Sequence, residues 1–234
     1  MPNEHISKQF DAELEAVRAK VLQMGGLVEQ QIIQAIQALT TGDLDLAKRV
    51  EAQDHRVNGM EVQIDEDCSH IIARRQPAAG DLRMLMAVIK TITDLERIGD
   101  EAEKIARMAQ LIHTSDRLQS PRVNDIKQVA DIALAMLRKA LDSFARLEPA
   151  TAAQVVREDM QVDEAFRSIL RQLITFMMED PRTISPSLEI LFTAKAIERI
   201  GDHAKNMAEY VIYLVKGKDV RHVTLEEVER EASL

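Results

Sequence analysis

Glu96-Arg97-Ile98-Gly99-Asp100 and Glu198-Arg199-Ile200-Gly201-Asp202 are two copies of one polar pentad, one in each half of the chain. Within each copy the carboxylates stand four residues apart, which places both on one side of a helix, a single turn from each other. The seam Leu85, Ile89, Ile92, Glu96, Gly99 puts Glu96 where an apolar residue is due, and Leu191, Ala194, Glu198, Gly201, Asp202 does the same for Glu198. On the preceding helices, steps of three and four pass through Asp54 and Glu61 in the first half and through Asp159 in the second. Several acids therefore converge between two helices in each half. Desolvating each would cost several kcal/mol unless a cation or protons offset it. A carboxylate-only set calls for a hard or borderline cation such as Mg²⁺, Mn²⁺, Fe or Zn²⁺. His203, beside Asp202, offers a nitrogen ligand in the second half only, since the first half has Glu101 there, and Asn206 stands opposite Lys104.

The alternative is a set of ordinary inter-helix salt bridges in which Arg97, Arg199 and nearby bases neutralise the acids. Gly99 and Gly201 bear on the choice. A mid-helix glycine costs roughly 1 kcal/mol relative to alanine, so its presence beside Glu and Asp implies close helix approach or room for a ligand.

The elements that carry these residues repeat as well. Ala47, Val50, Asp54, Val57, Glu61, Ile64, Cys68 and Ile71 match Ala152, Val155, Asp159, Val162, Phe166, Ile169, Leu173 and Phe176 at a constant offset. An amphipathic helix is expected from Ile6 to about Leu39, ended by Thr40-Thr41-Gly42-Asp43. A second runs to about Arg75, before Gln76-Pro77, and a third from near Asp81 to His113. Thr114 to Pro121 reads as a linker. The second unit repeats the plan, with a helix carrying Val123, Ile126, Val129, Ala133, Leu137, Leu141 and Phe144, then breaks at Glu148-Pro149 and from Asp180-Pro181 to Pro186, and a stop at Gly217. Two up-down-up three-helix bundles, each about 45 Å long, are expected over residues 1–115 and 122–217, with 218–234 an acidic tail or short helix. Thr224 and Glu227 have capping-box spacing at its start, which suits either a docking segment or a solvated tail.

Composition narrows the function. With 8 Gly, 6 Pro and no Trp among 234 residues, the chain is built for helices, and the fold class is all-α. A formal charge of −9 argues against nucleic acid, which needs clustered Lys and Arg, and favours cations and basic protein surfaces as partners. The single Cys68 rules out an internal disulfide framework and falls on a core seam. The Met1-Pro2-Asn3-Glu4-His5 start has no basic region leading into an apolar run, and no apolar run approaches the ~20 residues a span requires, so a cytoplasmic protein is expected. Met84, Met86, Met177 and Met178 are expected to fill core gaps, with an adaptable protein-binding surface as the other use of methionine. There is no Gly-rich phosphate loop and no nucleophile-base arrangement. Every histidine has a residue other than Glu three positions before it, which argues against a carboxylate-bridged di-metal enzyme and leaves a metal-free helical adaptor as a further alternative.

Arg75-Gln76-Pro77 with Asp81-Leu82-Arg83, the paired Glu-Arg-Ile-Gly-Asp segments, Met24-Gly25-Gly26 and Tyr213-Leu214-Val215-Lys216-Gly217 together resemble the PhoU family of bacterial phosphate-transport accessory and regulatory proteins, along essentially the whole chain. The resemblance implies paired three-helix bundles with metal at Glu/Asp-x-x-x-Asp motifs. Those motifs here are Glu96 with Asp100, Glu198 with Asp202, and Asp159 with Asp163, whereas Asp54 is followed by Asn58 and Ala196 stands opposite Asp94. It further implies a homodimer that represses the phosphate-starvation response. Its expected partners are the ATPase subunit of the phosphate ABC transporter and the PAS region of a sensor histidine kinase, which would hold it at the inner membrane.

Overall fold

The computed structural model describes residues 8–114 and 123–233, and among these the only regular structure is helical. The helices are α1 (Lys8–Thr41), α2 (Leu44–Arg75), α3 (Ala79–Thr114), α4 (Val123–Arg146), α5 (Pro149–Glu179), α6 (Ile184–Lys216) and α7 (Leu225–Ser233). The start expected at Ile6 and most of the linker expected over Thr114 to Pro121 lie outside the described residues.

The helix ends have local causes. Asp43 caps α2 by accepting a hydrogen bond from the Leu46 N–H at 2.9 Å, and Pro149 opens α5 at a position that has no use for a donor. Gly217 closes α6 at φ 73, its N–H donating to the Tyr213 carbonyl at 2.8 Å. The break expected to reach Pro186 is shorter. A single 3-10 turn, Pro181–Thr183, hands directly to α6, and Pro186 sits in its first turn, where backbone N–H groups lack helical partners anyway.

Each half forms a three-helix bundle, α1–α2–α3 and α4–α5–α6. The halves meet through equivalent helices: α3 packs on α6 and α1 on α4. Because α1 also packs on α3 and α4 on α6, these four helices enclose one continuous core, from Val21 and Met24 through Leu95 and Ile98 to Ile197 and Ile200, and α2 and α5 flank it on opposite sides. Cys68 is fully buried on α2, where desolvation, with Asp65 and Asp67 nearby, pushes its thiol up to about 12 and leaves it a core residue. Met84 and Met177 pack against the core, but Met86 and Met178 are exposed, the latter at 80%, so only half of that expectation holds. The C-terminal segment is a docked helix. Thr224 and Glu227 form the reciprocal capping box, Val228 and Ala232 are buried, and Arg157 of α5 holds Glu229.

Gly25 lets α1 and α4 approach closely: a Cβ there would lie 2.5 Å from Leu141 Cδ2 and 2.8 Å from Cδ1. Its neighbour Gly26 is exposed, with nothing within 4 Å of that position. Gly25→Leu should therefore destabilise by about 1–3 kcal/mol through overpacking, whereas Gly26→Ala should stabilise by about 0.5–1 kcal/mol through helix propensity. Urea unfolding midpoints check both, and equal shifts at the two positions would contradict the packing described.

Candidate metal centre

The first-half acids come from two helices. Asp54 projects from α2, while Glu96, Asp100 and Glu103 follow one another at steps of four and three along α3. One carboxylate oxygen from each of Asp54, Asp100 and Glu103 lies within 4.8 Å of the others. Asp54 Oδ2 accepts a hydrogen bond from Asn58 Nδ2 at 3.1 Å, but its Oδ1 is buried without a hydrogen-bond partner, as is Glu96 Oε2. Burial raises the Asp54 carboxyl above its ordinary value; the Asn58 bond opposes this, and the Glu103 and Asp100 charges add to it. Burial likewise raises Glu96, with Asp100 as the next cause.

Two nearby residues, Glu103 and Gln31, were not singled out from the sequence. Glu103 completes the three-carboxylate group, and its spacing one turn beyond Asp100 was the available signal. Gln31 of α1 is fully buried, with neither its oxygen nor its nitrogen hydrogen-bonded. The position of a Gly99 Cβ would be 3.3 Å from Gln31 Oε1, 3.4 Å from Val57 Cγ1 and 3.5 Å from Asp54 Oδ1. Gly99 thus serves both readings given to it, close helix packing and space beside an acid. An amide oxygen joins the carboxylate oxygens around that space. A donor set made only of oxygens, several unsatisfied and carrying excess negative charge, fits a hard cation.

Bases neutralise this group only from outside. Arg97, more than half exposed, lies 3.4 Å from both Glu96 and Asp100, beyond the length of a strong charge-assisted bond. Arg107 pairs with Glu103 from one turn further along α3.

The second-half acids are held differently. Lys205 Nζ donates to Asp159 Oδ2 at 2.8 Å, and Lys195 Nζ lies 2.6 Å from both oxygens of Glu198. Asp163 faces Arg167 at 3.4 Å. Asp202 is pushed up to about 6, by burial first and then by Glu198 and Asp159. A Cβ at Gly201 would make ordinary contacts, 3.4 Å from Val162 Cγ1 and 3.7 Å from Asp159 Oδ1. Among the described residues, only the first half brings three acidic ligand atoms together. His203 points elsewhere: its Nδ1 lies 2.6 Å from Asp94 Oδ1, which also accepts from Asn206 Nδ2 at 3.1 Å. Arg199 crosses between halves as well, to Glu101 at 3.1 Å, and does not pair with Glu198. Polar residues adjacent to the acids therefore join α3 to α6.

A duplicated three-helix unit with acids at matching seam positions in both copies, and with no described helix long and apolar enough to cross a membrane, defines a tandem-repeat helical protein. The description "PhoU domain" matches it twice, over residues 21–109 and 126–211, and the chain belongs to this family. A Burkholderia sp. protein described as a phosphate-specific transport system accessory protein PhoU homolog is 51% identical over 99% of both chains. The Escherichia coli (strain K12) phosphate-specific transport system accessory protein PhoU is 49% identical over 97% of this chain and 94% of its own. The crystal structure of PhoU from Pseudomonas aeruginosa superposes with a TM-score of 0.86 at 48% identity, covering 89% of this chain and all of that one.

Glu209, one turn beyond Lys205, supplies a pH test. Burial pushes its carboxyl from 4.5 up to about 7, against the opposing charges of Lys205 and Arg221. Because the folded state holds the proton more tightly, this group's contribution is fully present below 4.5 and is lost as pH rises through about 7. Glu209→Gln should therefore gain stability relative to the parent as pH is raised across that window. Parallel urea-midpoint profiles for parent and variant would contradict the buried, proton-retaining carboxyl.

Proposed function

We propose that this protein is a metal-binding regulator of phosphate homeostasis that represses the phosphate-starvation response and modulates phosphate uptake. The observation that carries the reading is whole-length similarity, at about half identity, to proteins described as accessory to the phosphate-specific transport system. On this reading it works in the cytoplasm, at the inner membrane through its partners, the ATPase subunit of the phosphate ABC transporter and the PAS region of a sensor histidine kinase, and assembles as a homodimer. Exposed Ile184, Leu188 and Phe192, at steps of four along α6, support a role in protein contact. Regulation rather than catalysis is the family's character.

The metal part rests on Asp54, Glu96, Asp100 and Glu103, with Asp159, Asp163, Glu198 and Asp202 as the duplicate position, where lysines compete. A divalent or trivalent cation would relieve carboxylate repulsion and change the potential that a basic partner meets. The ion pairs of Lys195 and Lys205 are the observation that favours the metal-free adaptor as a second reading.

Two outcomes are expected. Deleting the protein should leave a starvation-promoter reporter active in phosphate-rich medium, and the parent copy should restore repression; a reporter that stays repressed without any copy removes the regulatory reading. Chelation should lower the calorimetric melting temperature, more in low salt, and added Mn²⁺ or Mg²⁺ should restore it. A transition indifferent to metal would favour the adaptor.

A further inference from the structure

Along α3 and α6 the sequence alignment that pairs Glu96 with Glu198 also pairs Glu103 with Lys205 and Arg107 with Glu209. Each pair stands four residues apart on its helix, and the order of charge is reversed. In the first half the acid of the pair faces the seam, within 4.8 Å of Asp54 and Asp100, and Arg107 lies outside, about half exposed. In the second half the base faces the seam, its ammonium 2.8 Å from Asp159, the counterpart of Asp54, and the carboxylate lies beyond it.

We propose that the Lys205 ammonium is the resident cation of the second-half site, so that only the first-half site takes a metal ion from solution and the protein carries one tight metal site per chain. The proposal rests on the metal reading above and adds which half is used.

Three further observations support it. The offset that relates α2 to α5 also pairs Val28 with Ala133 and Ile32 with Leu137, so Gln31, fully buried and unpartnered beside Asp54 and Gly99, has Met136 as its counterpart in α4, likewise fully buried, and the second half lacks the additional oxygen donor. Thr93 corresponds to Lys195, which lies against Glu198 and 5.4 Å over the ring of Phe166, itself the counterpart of Glu61. At two positions, then, the second half has a lysine where the first has a neutral or acidic residue. The Lys205 side chain is only 34% exposed, and its ammonium lies 2.8 Å from the carboxylate of Asp159, whose side chain is 7% exposed. A divalent ion entering this site would have to displace a hydrogen-bonded ammonium and leave it partly buried without its partner.

The test is Mn²⁺ binding to the full chain, read as stoichiometry by calorimetry and by metal analysis after desalting. The parent should bind one Mn²⁺ tightly, with any second class weaker by at least about tenfold, equivalent to roughly 1.4 kcal/mol. Lys205→Glu with Glu209→Arg, which copies the first-half pair and keeps the charge pairing along the helix, should raise the tight stoichiometry to two. Glu103→Lys with Arg107→Glu should abolish the tight site. Should either double variant fail to fold, Lys205→Gln removes the ammonium alone and should tighten the weak class by a similar factor. Two equal tight sites in the parent, or no gain when the ammonium is removed, overturn the proposal and leave metal binding standing. No Mn²⁺ bound by parent or variants would overturn the metal reading itself, and this inference with it.

Discussion

A carboxylate on the seam between two helices must meet a positive charge or keep its proton, and the polar architecture of this protein follows from that constraint. Desolvation costs several kcal/mol for each ion, a large fraction of the net stability of any domain. The two halves respond differently on the same frame. In the first, Asp54, Asp100 and Glu103 crowd their oxygens together, and Asp54 and Glu96 each hold a buried oxygen without a hydrogen-bond partner. In the second, Lys195 and Lys205 supply the charge.

The frame keeps two polar systems apart on one helix. Glu96, Asp100 and Glu103 lie along the side of α3 that faces α2, with Asp54 opposite. Asp94 and Glu101, both buried, lie on the side that meets α6, where His203, Asn206 and Arg199 receive them. A rotation or shift of α3 that adjusted the acid cluster would also be felt at the contact between halves, because a close-packed core transmits displacement. One helix thus carries both the site and the joint.

The sequence revealed the helices and their inward faces because burial imposes the three-and-four spacing directly on residue types, as in Val50, Val57, Ile64 and Ile71. The acids that break this spacing were visible for the same reason. Their neutralising partners were not. Lys205 and Glu103 occupy equivalent places with opposite charge, and both reach the seam only because of how the neighbouring helix packs. Gln31 went unseen because Val28 and Ile32 already satisfy the stripe around it. His203 was read with Asp202, its neighbour in sequence, but Asp94 lies across the junction between halves, a contact that no local pattern encodes. The docked α7 was similarly ambiguous, since a capping box specifies that a helix starts and not what its buried face covers.

Reversing the order of an acid and a base four residues apart keeps one of each on the helix, so duplicated sites can diverge at little cost to the helix that carries them. The effect at the seam is large, because there the inward member meets a carboxylate away from water. On the proposed reading, the fixed ammonium leaves the second half indifferent to cation supply, and only the first half changes charge with it. That change is felt within roughly a Debye length, about 8 Å at physiological ionic strength. A basic partner sensitive to it must sit over the α2–α3 groove, whereas the exposed apolar stripe lies on α6. One surface then answers to charge and the other to hydrophobic contact, so the two can act independently.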